Sequence, residues 1–286
     1  MRLREYCSGL LAGCLLLAAG VVAADIETGL LWKIESAQGE AGYLFGTMHS
    51  DDARVTDFPP PLIQGLLSSQ VLLMETLPPP DGSVFFSKQG TLADLLPPQE
   101  LEQALQQAEA RGMLNSMAIR MKPWLLALVL ATPKGPSPFS QDMQLYALAE
   151  QRGLEVAALE TADEHFTSLD ALSAEDQGAL LRAVVAQPED KKEQAYEELL
   201  KVYLSGDSAR ILETDEKLSS RDLPPGLWEK MRAILIDRRN AQMAARIIER
   251  IGRGKLFVAV GAAHLPGEQG IVRRLRAAGY RVTPLR

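Results

Sequence analysis

The chain has 286 residues, 47% apolar and 23% charged, enough for one large domain with a sizeable core and too apolar for a disordered or fibrous chain. Thirty Lys and Arg against thirty-seven Asp and Glu give a formal charge of −7, the wrong sign for neutralising a phosphate backbone or adhering to an anionic bilayer, so nucleic acid is excluded as an expected partner.

Residues 1–24 read as an export signal. Arg2 and Arg4 precede the apolar stretch Leu10 to Val22, and Val22-Ala23-Ala24 offers a small-x-small cleavage site before Asp25. The apolar stretch is short of the about 20 residues a spanning helix needs, so the mature chain is expected to carry no stable membrane span and to be periplasmic or secreted. A competing reading takes Leu11-Ala12-Gly13-Cys14 as a lipoprotein box lipidated at Cys14, but it would leave the most apolar segment on the mature protein. Both cysteines, Cys7 and Cys14, fall in this segment, so cleavage after Ala24 excludes disulfides and thiolate chemistry.

Along residues 25–286, runs 30–36 and 42–47 predict a β-hairpin, and runs 71–75, 154–160, 256–261 and 280–285 predict further strands. Apolar residues at three- and four-residue spacing predict helices over 101–112, 116–132, 141–153, 173–187, 193–204 and 226–252. The prolines at 59–61, 78–80, 97–98, 133–138 and 224–225 are read as loops, and Gly252-Arg253-Gly254-Lys255 as a helix end turning into a strand. No polar linker separates these elements. The expected fold is therefore one α/β domain, a central mixed sheet flanked by helices with long helical insertions.

Two of the three histidines share one setting, an apolar strand running into G-x-x-H: Tyr43-Leu44-Phe45-Gly46-Thr47-Met48-His49 and Val258-Ala259-Val260-Gly261-Ala262-Ala263-His264. Ligands of open α/β sheets collect beyond the carboxyl ends of strands, where glycine lets the backbone turn sharply and approach closely. Pro266 is expected to open a helix beside His264. Two other strands end in carboxylates, Glu75 and Glu160. If the sheet gathers these ends, His49, His264 and Glu75 form a mixed imidazole and carboxylate cluster suited to a divalent metal, with Mn, Co, Zn and Fe all admissible. His165, among acids at a helix start, is read as surface. Asn240 falls on the apolar stripe of the 226–252 helix with Ile236 and Met243, where a buried amide needs a backbone, ligand or site partner, and neighbouring Arg239 can reach an anion. The sequence contains no G-x-S-x-G, H-E-x-x-H, Walker or G-x-G-x-x-G motif.

In order along the chain, Leu31-Trp32-Lys33-Ile34, Gly46-Thr47-Met48-His49 with Arg54-Val55, Glu75, Lys122-Pro123-Trp124, Leu159-Glu160-Thr161, Arg239-Asn240 with Met243-Ala244, and Gly261 through Gly267 resemble the signature blocks of the TraB/GumN family, which includes the TIKI-type metalloproteases. The resemblance implies a Mn- or Co-dependent peptidase centre, with His49, Glu75 and His264 in its metal-binding roles. It places Arg239 and Asn240 in a helix motif near the same site, and Glu160 and Arg54 at recurrent positions without an assigned role. Relatives commonly carry glutamine where this chain has His165.

The expected function is an exported metal-dependent hydrolase acting on a peptide bond. Glu75 or Glu160 would take the proton of water, Arg239 and Asn240 would steady the oxyanion, and Arg54, Arg239 and Asn240 would contact a peptide or small-molecule substrate. The competing class is a periplasmic binding protein that holds a peptide signal or haem-like ligand without turnover.

Overall fold

The computed structural model describes residues 28–133, 137 and 139–285. The segment read as an export signal, with both cysteines, lies outside the described residues.

β1 (Leu31–Ser36) and β2 (Gly39–Thr47) form the expected hairpin. They join β3 (Val71–Met74), β4 (Glu155–Ala158), β5 (Leu256–Gly261) and β6 (Arg281–Leu285) in one six-stranded sheet of order β4-β3-β5-β2-β1-β6. β1 is antiparallel to both its neighbours, and the other pairings are parallel. Parallel strands are covered on both faces, which is why β3 and β5 read as continuous apolar runs. Alternation then divides β5 between two cores. Leu256, Val258 and Val260 pack with Met243, Ile247, Ile271 and Leu275 on one face, while Phe257 and Ala259 meet Leu62, Leu66, Leu145 and Ala149 on the other. The chain is thus a single α/β domain with a mixed sheet between helices.

A third core is mainly helical. It joins Pro98–Ala110, Pro123–Ala131, Ala174–Ala186 and Leu227–Arg232, segments inserted between β3 and β4 and between β4 and β5. No helix among the described residues is long and apolar enough to cross a membrane.

Several elements differ from expectation for identifiable reasons. The helix expected over 116–132 is broken into Asn115–Ala118 and Pro123–Ala131, because Pro123 pushes Lys122 to an extended ψ of 131°. Pro60 and Pro98, read as loop residues, and Pro123, read within a helix, occupy first helical positions, where a missing N–H is harmless. Helices Pro60–Leu67 and Ser208–Ser219 were not foreseen. The long helix runs from Leu227–Arg232 through a π-helical stretch, Ala233–Arg238, into Arg239–Arg250. Pro266 does not open a helix: Ala262–His264 form a 3₁₀ turn and the next helix starts at Ile271 after Gly270, so the helix N-terminus expected beside His264 from Pro266 is not formed.

Register fixes where the chemistry falls. Thr47 pairs with Gly261, and Met74 pairs with both Ala259 and Ala158, so β2, β5, β3 and β4 all finish at one edge. His49, His264, Glu75 and Glu160 each follow one of these ends by one to three residues.

Candidate active site

The two histidines are held alike. His49 Nδ1 lies 2.7 Å from Asp142 Oδ2, and His264 Nδ1 lies 2.7 Å from Asn240 Oδ1. The oxygen acceptor on each Nδ1 fixes a proton there, which leaves Nε2 as the ligating nitrogen of the neutral ring; His264 is neutral near pH 7, whereas His49 must first lose its Nε2 proton. Their surroundings oppose one another. His264 is buried and His49 has a side chain 69% exposed. Asp142 raises the His49 pKa to about 9, whereas burial lowers that of His264 to about 4.

Asp142 also accepts from Thr47 Oγ1 at 2.6 Å, so one carboxylate fixes both the end of β2 and the ring beyond it. Beside it, Gln141 Oε1 accepts from Met48 N at 2.8 Å, and Gln141 Nε2 donates to Val55 O at 2.6 Å. Tyr203 Oη lies 2.8 Å from Gly46 O and 2.9 Å from Gln141 Oε1, closing this support from the far side.

The acids converge on Arg239. Its Nη2 donates to Glu75 Oε2 at 2.5 Å and Glu160 Oε2 at 2.7 Å, its Nε lies 3.0 Å from each Glu160 oxygen, and its Nη1 donates to Leu235 O at 3.1 Å. Burial opposes ionisation of both carboxyls. For Glu75 the charges of His264 and Arg239 outweigh it and hold the group well below the usual range; for Glu160 the hydrogen bonds of His165 and Arg239 outweigh it and lower the carboxyl. Arg239 is therefore a neutraliser of two acids, and its donors are not free for the oxyanion role read from the sequence.

Two donor sets suggest themselves for a metal. Glu75, Glu160 and His165 offer ligand atoms within 4.8 Å of one another, but Arg239 Nη2 already touches all three, 3.0 Å from His165 Nδ1. A cation there would meet a fixed guanidinium. The other set surrounds Gly261: a Cβ at this position would stand 3.1 Å from Glu75 Oε1, 3.6 Å from His264 Cδ2 and 4.0 Å from His49 Nε2. Glu75 Oε1 accepts from Gly261 N at 2.5 Å and lies 3.6 Å from His264 Nε2. The ligand atoms of His49, Glu75 and His264 do not all lie within 4.8 Å of one another, and Arg239 Nη1 stands 3.4 Å from His264 Nε2, so these three groups would have to draw together, and the guanidinium turn aside, to hold a divalent ion.

Gly261 has an unexceptional φ of −52°, so it is required for the space it leaves and not for a turn. Gly46 serves similarly, since a Cβ there would stand 2.6 Å from Leu265 Cδ1.

The site residues read from the sequence are therefore gathered, with two differences. His165, expected at the surface, folds inward: Thr161 and Glu164 form a capping box, and the single helical turn Ala162–Phe166 carries the ring to 3.3 Å from Glu160 Oε2. Arg54 is held by Asp52 and Glu197, its Nη2 donating to Glu197 Oε1 at 2.8 Å, and it does not line the cavity. Asn240, fully buried, finds a site partner in His264, while its Nδ2 has no hydrogen bond among the described residues. Asp142, Gln141 and Tyr203 escaped the sequence reading. Asp142 lies in the first turn of the helix Gln141–Gln151, a position that favours acids on any helix, so nothing local marked it.

Above this edge lies a cavity of about 350 Å³, lined by His49, Glu75, His165, Arg239 and His264 on one side and by Trp124, Leu128, Phe166 and Leu235 from the helical insertions on the other. Lys122 anchors the roof, donating to Phe166 O at 2.9 Å and Asp170 Oδ2 at 2.7 Å, while Trp124 Nε1 donates to Asp170 Oδ1 at 2.8 Å.

A sheet whose carboxyl edge presents two backed histidines and an arginine-clamped acid pair beneath a helical roof defines a single-domain α/β protein with a partly enclosed, largely apolar pocket that has its charged groups on the sheet side. The chain belongs to the TraB/PrgY/gumN family, whose model matches residues 30–284. Comparison with curated proteins and with solved structures returns no match.

Proposed function

We propose that this chain is an exported metal-dependent hydrolase that cleaves a peptide bond. The observation that carries the reading is the matched pair His49 and His264, each fixed through Nδ1 by a side-chain oxygen, with His264 Nε2 3.6 Å from Glu75 Oε1 and His49 Nε2 facing the space left by Gly261. His49 Nε2, His264 Nε2 and Glu75 Oε1 would hold the ion, with Mn or Co favoured. When bound, such an ion acidifies water and polarises a carbonyl.

The chain's own groups do the rest. Asp142 and Asn240 fix the rings and supply electron density through Nδ1. Glu75, the acid beside His264 in the cavity, would receive the proton of water at its carboxylate, and Arg239 keeps it ionised beforehand. Glu160 does not line the cavity and acts through Arg239 as a positioning residue. Trp124, Leu128 and Phe166 exclude bulk water from the roof.

The test is hydrolysis of a peptide library by protein stripped of metal and reloaded with Mn or Co, beside His49→Ala and His264→Ala. Cleavage by wild type that both variants lose, while keeping the native circular dichroism, is expected. A library recovered intact overturns the reading in favour of a binding protein, and a haem ligand would then reveal itself by colour on titration. Mass analysis of the mature N-terminus tests export, with Asp25 expected first.

A further inference from the structure

A second cavity of about 290 Å³ lies within the helical insertions, walled by side chains such as Leu180, Val184, Trp228 and Met231. It abuts the cavity over the candidate active site, since Leu128, Leu199, Asp215, Leu235 and Ile236 line both. Four of these five are aliphatic. The fifth is a carboxylic acid, set in the helix Ser208–Ser219 at the wall the two spaces share.

Asp215 is poorly provided for. Ser219 Oγ donates to its Oδ1 at 3.1 Å, and no cation pairs with it among the described residues. Neither basic side chain lining the inner cavity pairs with Asp215 among the described residues: Arg232 Nη1 lies 3.4 Å from Glu216 Oε2 while its Nε has no hydrogen-bond partner, and Lys192 Nζ donates to Gln107 Oε1 and Glu189 Oε1, each at 2.8 Å. Burial, and then the neighbouring charge of Glu216, push the Asp215 carboxyl above its ordinary value. A carboxylate against apolar walls is costly unless a cation meets it, and the described residues supply none. The surrounding aliphatic surface suits the methylene stem of that cation, and a compact ammonium suits a lone carboxylate.

We propose that Asp215 is a specificity-determining residue that receives an alkylammonium group of the substrate, its aliphatic stem lying along Leu128, Leu199, Leu235 and Ile236. The substrate class is then a peptide that offers a lysine side chain or a free amino terminus at the wall between the two cavities. The assignment of a peptide rests on the hydrolase reading, whereas the ammonium site is read by binding alone.

Calorimetric titration of the whole chain with hexylammonium, 1-hexanol and hexanoate tests it. Hexylammonium is expected to bind about tenfold or more tightly than either of the others, as befits a hydrogen bond to a charged group. Asp215→Asn should abolish that preference, and His49→Ala should keep it. Equal binding of hexylammonium and hexanol by wild type overturns the proposal without recourse to any variant, as does an unchanged preference in Asp215→Asn. If peptides prove uncleaved while the hexylammonium preference persists, only the hydrolase reading falls; if cleavage occurs without it, only Asp215 loses its role. Peptides carrying lysine with an acetylated N-terminus, against norleucine peptides with a free one, then separate the two sources of the ammonium: KM should rise about tenfold in Asp215→Asn for the source that is used.

Discussion

His264 and Asn240, 24 residues apart, meet at 2.7 Å through Nδ1 and Oδ1, both buried. This contact joins the 3₁₀ turn after β5 to the helix packed against the sheet, and it orients the ring that approaches Glu75. Replacing Asn240 by Ala should leave the fold intact, because the side chain also carries an amide nitrogen without a partner. Mn or Co affinity should fall by about 10–100-fold, the usual cost of losing the group behind a ligating imidazole. Calorimetry of the two loaded proteins decides this, and equal affinities would refute it.

Gly261→Ala separates space from backbone conformation. The φ of −52° accepts alanine, so thermal stability should change little. The added methyl, 3.1 Å from Glu75 Oε1, should nonetheless displace the carboxylate and weaken metal binding. A variant that binds metal as tightly as wild type would show that the proposed donor set is misplaced.

The clamp formed by Arg239 with Glu75 and Glu160 should behave as one unit. Glu160→Gln removes one of two buried anions facing the guanidinium, so its cost should lie below the about 3–5 kcal/mol of a buried ion that loses its sole partner. Combined with Arg239→Met, it should show a coupling of about 0.5–3 kcal/mol in urea unfolding. Strict additivity of the two changes would contradict the geometry.

Acid stability should depend on Glu164. Arg246 first, then the capping contact with Thr161, lower its pKa from 4.5 to about 2 in the folded protein. A lowered folded pKa means that the unfolded chain binds the proton more readily, so the contribution is complete above about pH 4.5 and is lost as pH falls through about 2. Glu164→Gln should therefore flatten the unfolding profile within that window and leave its slope near neutrality unchanged. Thermal melts at stepped pH check this, and parallel curves for both proteins across the window would count against it.

Much of the fold was legible because its signals are local. The apolar runs of β3 and β5, the hairpin and the three-to-four spacing of the helices record burial that each segment carries in its own residues. The paired G-x-x-H ends of β2 and β5, Glu75 and Glu160 were likewise visible as polar groups closing apolar strands. Where a proline was the only marker, the reading failed, because the same residue that interrupts one helix begins the next: Pro123 does both.

What sequence alone determined is the strand ends and the residue types at them. Tertiary structure decided their partners. His165 is drawn in by a capped turn, Asp142 reaches His49 across 93 residues, and Arg239 joins acids from two strands that are neighbours only in the sheet. A hydrogen bond or ion pair between distant segments leaves no period in the chain, since it depends on register and packing that exist only after the sheet has formed.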